Sequence, residues 1–334
     1  MRDAYRKFVA AGVKLYAISY DDREALAEFR EKQDIPYPLL SDVDSATIRR
    51  YGILNDRIRP GDALLHGIPY PGVFVCDEDG VVISKFFHDT YKKRDSPERL
   101  LDAALGRVVL DGSGPHAEGG GDGVRVTAAV RGGTGTIRQG IIRELVVRFE
   151  LEAGLHVYGE PVPEGMVPVR VDVRGPPGLV VQAPVLPPTT RHHLPEMDLT
   201  LPVWSGTVDV RVPFYPVGEL ASETRPLDRA STTLSVTVRY QACDDRTCLP
   251  PRTEEFTLEL PLDVVDVPRL SIHMGHGQRE GQYDAFPHAR RLLRRKRRQA
   301  PLGFLRFLVK QARLERAARK RARIAPTGGS SSAG

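Results

Sequence analysis

Residues 111–123, DGSGPHAEGGGDG, divide this chain of 334 residues into two stretches with different hydrophobic periods. Before them, apolar residues recur at helical spacing between short apolar runs. After them the helical period vanishes, and short alternating segments separated by Pro and Gly clusters take over. One sheet type cannot satisfy both patterns. The switch predicts an α/β unit over 1–110, an all-β unit over 124–267 and a tail over 268–334, with the Gly-rich segment 111–123 as a flexible linker.

In the first stretch Tyr5, Phe8 and Val9 share a helical face, and Gly12 follows as a stop. Val13 to Tyr20 reads as a strand, and Asp21-Asp22 supplies an N-cap for a helix carrying Ala25, Leu26 and Phe29. Val73 to Val75 and Val81 to Phe87 read as a hairpin turned by Asp77-Glu78-Asp79-Gly80. Ser96-Pro97-Glu98 opens a helix through Leu105. In the second stretch the clearest strands are Leu234 to Tyr240 and Phe256 to Leu262. Leu234, Val236, Val238 and Tyr240 point one way and Ser235, Thr237 and Arg239 the other, which predicts a sandwich with one wet face. Trp204 and Tyr158 read as core aromatics of that sandwich.

Between those two strands runs YQACDDRTCLPP, in which Cys243 and Cys248 bracket a four-residue turn. The spacing suits a disulfide at an exposed hairpin tip. A loop this short is a weak staple, because the chain-entropy gain grows with loop length. A disulfide open to thiolate attack suits exchange chemistry instead. Arg246 favours a thiolate by its charge, whereas Asp244 and Asp245 oppose it. Two other readings stand beside exchange: an inert structural bridge, and a zinc site that would need two more ligands from His192, His193, His273 or His276. No metal and no cofactor is expected. Cys76, alone at a strand end, reads as a small hydrophobe rather than a nucleophile.

YQACDDRTCLPP resembles the cysteine hairpin of the N-terminal domain of the thiol:disulfide interchange protein DsbD, and Gly154-Leu155-His156-Val157-Tyr158 is similar to that family's first core strand end. The resemblance covers roughly 124–265 and implies an immunoglobulin-like sandwich. It also implies that Cys248 forms a mixed disulfide with a thiol partner protein and that Cys243 resolves it, with Tyr158 and Tyr240 as accessory residues. A cap loop over the pair would fall at Pro187 to Met197.

Residues 2–105 resemble the AhpC/TSA peroxiredoxin branch of the thioredoxin fold through LYAISYDD, YPLLSD and GIPYPGVFVCDEDGVV. The resemblance makes Pro71, after Tyr70, a candidate cis-proline and accessory residue. It further implies that the family's initial strand and nucleophilic cysteine are missing, which points to an internal start or a degenerate domain. The expected fold is thus an incomplete α/β thioredoxin-like domain, an all-β immunoglobulin-like sandwich and a basic helical tail. The implied function is thiol–disulfide exchange, with an outside partner or the chain's own full-length redoxin domain. The alternative is a non-catalytic binding module with a structural disulfide.

Of the 48 Lys and Arg residues, 15 lie between Arg290 and Arg323 with a single acid, Glu315, so an acidic body carries a basic tail. Leu302, Phe304, Leu305, Phe307, Leu308 and Val309 interleave with those charges over 290–324. That pattern suits an anionic membrane surface, and no motif for specific nucleic-acid recognition accompanies it. No apolar run reaches the roughly 18 residues of a membrane span. No signal-type core follows Met1, and the DsbD resemblance suggests an extracytoplasmic setting, with a cytoplasmic one still open.

Overall fold

The structure is a computed structural model and describes all residues except 59–65, 89–92, 133–134, 195–197, 223–224, 226–228, 245, 265–285 and 325–334. The N-terminal unit runs α1 (Tyr5–Ala10), β1 (Ala17–Ser19), α2 (Arg23–Lys32), β2 (Leu39–Ser41), α3 (Ala46–Arg50), β3 (Gly72–Cys76), β4 (Val82–Phe87), β5 (Arg94–Asp95) and α4 (Pro97–Leu105). The punctuation read from the sequence sets the helix ends. The Asp22 carboxylate accepts the Ala25 N–H at 2.7 Å, and Ser96 with Pro97 opens α4, which Gly106 closes at φ 63°. Phe8 of α1 packs on Leu100 and Leu101 of α4, with Val73 and Phe86 from the β3–β4 ribbon.

Instead of one sheet, this unit has two ribbons: β1 parallel to β2, and β3 antiparallel to β4. No described strand joins them, and Ile18 and Leu40 stand exposed on the first. Two expectations are corrected here. The Tyr70–Pro71 peptide is trans; the cis peptide among the described residues is Glu160–Pro161. The Tyr70 N–H bonds to the Ile53 carbonyl beside a Leu54–Pro69 bridge, holding this stretch extended in the ordinary isomer. Cys76 is exposed, not buried, because strand alternation puts it on the face opposite the buried Val75.

The second unit runs β6 (His116–Gly121), β7 (Val124–Arg131), β8 (Ile141–Leu151), β9 (His156–Tyr158), β10 (Arg170–Arg174), β11 (Leu179–Val181), β12 (Thr190–Leu194), β13 (Leu199–Ser205), β14 (Thr207–Pro216), α5 (Gly218–Ala221), β15 (Ser231–Tyr240), β16 (Ala242–Cys243) and β17 (Arg252–Pro261). Three sheets result, in the orders β11-β14-β8-β7-β6, β10-β15-β17 and β12-β13-β9-β16. Leu145, Val147 and Phe149 of β8 meet Leu234, Val236, Val238 and Tyr240 of β15 in one core, with Phe256, Leu258 and Leu260 of β17. The alternation seen in the sequence becomes the register Leu234 to Leu258 and Val236 to Phe256.

The Gly-rich segment corrects a further expectation. His116–Gly121 is a strand, antiparallel to β7 from His116 opposite Ala129 to Gly121 opposite Val124, rather than a flexible linker. A Cβ on Gly119 would stand 2.7 Å from the Glu254 carboxylate and 3.1 Å from the Phe256 ring, so glycine here permits close approach to β17.

The two units are also tied side to side. β5 adds to β8 in parallel, Arg94 opposite Ile141. Arg131 makes a bidentate pair with Asp102 of α4, both bonds at 2.8 Å. Arg99 reaches Glu144 at 2.9 Å, and Arg143 reaches Glu98 at 3.2 Å. The outer-face residues Ile142 and Val146 of β8 are as buried as the inner ones, Ile142 packing with Tyr215 and Val217 of its own unit. The tail forms α6 (Phe286–Gln299) and α7 (Gly303–Ile324), and no helix among the described residues is long and apolar enough to cross a membrane.

Candidate functional site

The cysteine segment does not form a simple hairpin tip. β15 stays with β17 as far as Tyr240, and the chain then changes sheets. Ala242 pairs with Val157 and Cys243 with His156, so β16 belongs to the sheet of β9. Gln241 makes the crossing: its Oε1 accepts the Val167 N–H at 3.1 Å, and its Nε2 donates to the Leu249 carbonyl at 3.1 Å. The turn closes through Leu249 N–H to the Ala242 carbonyl at 2.9 Å. One Asp244 carboxylate oxygen accepts the Arg246 and Thr247 N–H groups at 2.7 and 2.6 Å, an Asx-type turn. These bonds, the Arg246 one first, hold the Asp244 carboxyl below its usual range and keep it anionic.

This scaffold joins Cys243 and Cys248 in a disulfide with Cα atoms 4.1 Å apart. The two sulfurs live in different surroundings. Cys243 is 0% exposed, packed with Tyr158, Leu194, Leu201 and Val203, whereas Cys248 is exposed. The expected exposed tip is therefore exposed on one side only, because β9 and β12 cover the other. Leu194 ends the described part of the predicted cap segment; residues 195–197 lie outside the described residues. Trp204, a core aromatic as read from the sequence, donates its indole N–H to the carbonyls of Pro187 and Pro188, both at 3.1 Å, and anchors the start of that segment.

Of the accessory residues, Tyr158 is part of the site: its hydroxyl lies 3.8 Å from Cys248 Sγ. Burial pushes its phenol upward, so it stays protonated at neutral pH. Tyr240 is one step removed, in the main core with its ring edge-on to Phe149 at 5.4 Å. Pro71 lies ahead of β3 in the other unit, outside the cluster around the disulfide. His156 was not singled out from the sequence. Its Nε2 is 3.2 Å from the Tyr158 hydroxyl, and its ring centroid is 4.8 Å from that of His192. The signal was present: in His-Val-Tyr the first and third residues share one face of a strand. No group of three or more His, Cys, Asp or Glu among the described residues is placed to hold a metal ion, and His273 and His276 lie outside them.

Comparison with known proteins gives two separate likenesses. Residues 1–85 match the AhpC/TSA family, and residues 136–260 match the N-terminal domain of the thiol:disulfide interchange protein DsbD. The chain thus joins a segment similar to the AhpC/TSA family to a β-rich segment similar to the DsbD N-terminal domain, two likenesses that both point to thiol–disulfide redox chemistry. Among curated relatives, the chloroplastic peroxiredoxin Q of Suaeda salsa is 32% identical over 104 residues, which is 31% of this chain and 43% of the relative. The chain thus spans less than half the length of that relative. Among solved structures, the DsbD N-terminal domain of Neisseria meningitidis in its reduced form is 18% identical, covering 35% of this chain and 77% of that one, with TM-score 0.24. The N-terminal periplasmic domain of ScsB from Proteus mirabilis is 14% identical, covering 42% and 47%, with TM-score 0.29.

Proposed function

We propose that this chain is a thiol–disulfide exchange protein in which the Cys243–Cys248 pair relays electrons to or from a separate partner protein. One observation carries the reading: the bond joins a fully buried cysteine to an exposed one. Exchange proceeds by thiolate attack on one accessible sulfur, with the other as leaving group. Attack falls on Cys248, and Cys243 is held behind it to resolve the mixed disulfide. The AhpC/TSA segment supplies no nucleophile in this reading. Its cysteine, Cys76, is followed by Asp77, Glu78 and Asp79, the opposite of the electropositive setting of a reactive thiol. A separate partner is favoured over the chain's own redoxin unit because β6 and the α4 ion pairs tie that unit down. An extracytoplasmic compartment, where disulfides persist, suits the pair.

The rival reading, a binding module with an inert bridge, separates from this one on the reduction potential. Closing so short a loop is worth only about 2 kcal/mol in the chain-entropy model, and the Asp244 turn already holds its ends together. The potential, measured by equilibration with dithiothreitol redox buffers and thiol trapping, is expected above about −300 mV. A lower value would favour the inert bridge.

For the tail we infer docking on an anionic bilayer. Leu302 and, on α7, Phe304, Leu305, Leu308 and Val309 are exposed beside Arg306, Lys310 and Arg313. The chain is expected to co-sediment with phosphatidylglycerol vesicles and not with phosphatidylcholine ones. Each surface Lys or Arg contributes about 1 kcal/mol, so Arg306→Gln with Lys310→Gln should weaken binding about 30-fold. Equal binding to both vesicle types would exclude this role.

A further inference from the structure

A line of three groups runs from the interior to the exposed sulfur. His156, 4% exposed, reaches the Tyr158 hydroxyl at 3.2 Å, and that hydroxyl reaches Cys248 Sγ at 3.8 Å. Both side chains come from β9, two residues apart and so on one face. Imidazole is the side chain whose unperturbed form changes charge between pH 5 and 8, and the phenol can pass a proton without holding a charge. Two ionisable groups stand beside the ring, one on the turn and one on β12. From the turn, the anionic Asp244 carboxylate interacts with His156. From β12, the His192 ring stands 4.8 Å away. Across the sheet, Cys243 of β16 and Ser205 of β13 face His156; Ser205 brings no charge, and Cys243 is a titratable thiol once the pair is reduced.

We propose that His156 is the proton reservoir of Cys248, acting through the Tyr158 hydroxyl, so that the pair's exchange rate follows the charge of a buried imidazole. The inference rests on the exchange reading of the pair. In the reduced protein, Tyr158 gives its proton to His156 Nε2 and takes the proton of the Cys248 thiol. The Cys248 thiolate attacks one sulfur of a partner disulfide; that S–S bond breaks, and the partner's other sulfur leaves as a thiolate. Cys243 then attacks Cys248 Sγ, the mixed disulfide breaks, and the partner's second sulfur leaves and takes up the Cys243 proton. Two electrons pass to the partner, and the imidazolium returns its proton to solvent or to the first departing thiolate. The same steps in reverse protonate Cys248 when a partner dithiol reduces the pair. His156 is thus a positioning residue acting on the reacting sulfur through another side chain.

The test is the pH profile of Cys248 alkylation by iodoacetamide in the reduced full chain, with mass mapping to separate Cys248 from the exposed Cys76. Wild type is expected to inflect below the ordinary thiol value of about 8.5. His156→Phe and Tyr158→Phe should each move the inflection up and slow alkylation at pH 7 about tenfold, and the double variant should be no slower than either, as residues on one path are. His156→Gln keeps a hydrogen bond to Tyr158 but takes no proton; it should behave like His156→Phe. Superposable profiles, or rescue by His156→Gln, would overturn the relay. If the variants do not fold, the His156 ring followed by NMR in wild type decides: its titration should differ between reduced and oxidised protein, and an unchanged titration overturns the proposal. Oxidised glutathione separates the two claims. A wild-type pair that does not exchange with it sinks the exchange reading, whereas exchange with an unaltered profile in the variants sinks only the relay.

Discussion

Reduced Cys243→Ser is expected to form a persistent adduct with oxidised glutathione, and Cys248→Ser to form none above the background of a buried thiol. In the first variant the exposed Cys248 attacks, the S–S bond of glutathione breaks, and no second thiol is present to release the adduct. In the second the remaining sulfur is Cys243, which is enclosed by Tyr158, Leu194, Leu201 and Val203. Intact-mass measurement after quenching reads the two outcomes directly, with peptide mapping to set aside any adduct on Cys76, the third cysteine of the chain. Equal adducts on both variants would mean that the burial difference does not govern access. An adduct confined to Cys248→Ser would reverse the assigned roles.

The second large effect concerns stability. Arg131→Ala is expected to destabilise the protein by about 3–5 kcal/mol, the usual cost of removing one partner of a buried ion pair. Arg131 and Asp102 have side chains only 4% and 1% exposed and meet through two bonds, so the truncation leaves a carboxylate stranded between α4 and the sheet. Most of that cost is the unpaired charge and not the pair itself. Arg131→Met combined with Asp102→Leu should therefore unfold close to wild type in urea, or later. A single variant with an unchanged midpoint would show that water or a neighbour such as Lys7 rescues the carboxylate.

How much of this was legible in the sequence differs from element to element. The strands of β15 and β17 were readable because one face of each is wet, and alternation reports that difference directly. The same alternation does not say which sheet a residue joins. The crossing at Gln241 was invisible for that reason: Ala242 and Cys243 continue the strand pattern of β15 while pairing with β9. The cysteine spacing predicted a bond, and the structure has it. It did not predict that one sulfur is covered, since the cover comes from Leu194 and Leu201, distant in sequence. Glycine misled most. In 111–123 it suggested a flexible connection, but the absence of a side chain serves equally well where Phe256 must come close. The N-terminal helices were marked by their caps, whereas the partition of their strands into two ribbons depends on which strands are present to join them.

The strip formed by β5 and α4 has a consequence for where this protein can be divided. Family resemblance draws the second domain from residue 136, and composition draws it from 124. Neither boundary keeps the contacts that cross between the units. β5 pairs with the start of β8, and Arg131, Glu144 and Arg143 bond to Asp102, Arg99 and Glu98 of α4. A fragment cut at 124 would leave Arg131, Glu144 and Arg143 without Asp102, Arg99 and Glu98, the side chains they bond to. The smallest piece that keeps those bonds begins ahead of Arg94, inside what the sequence assigns to the other domain.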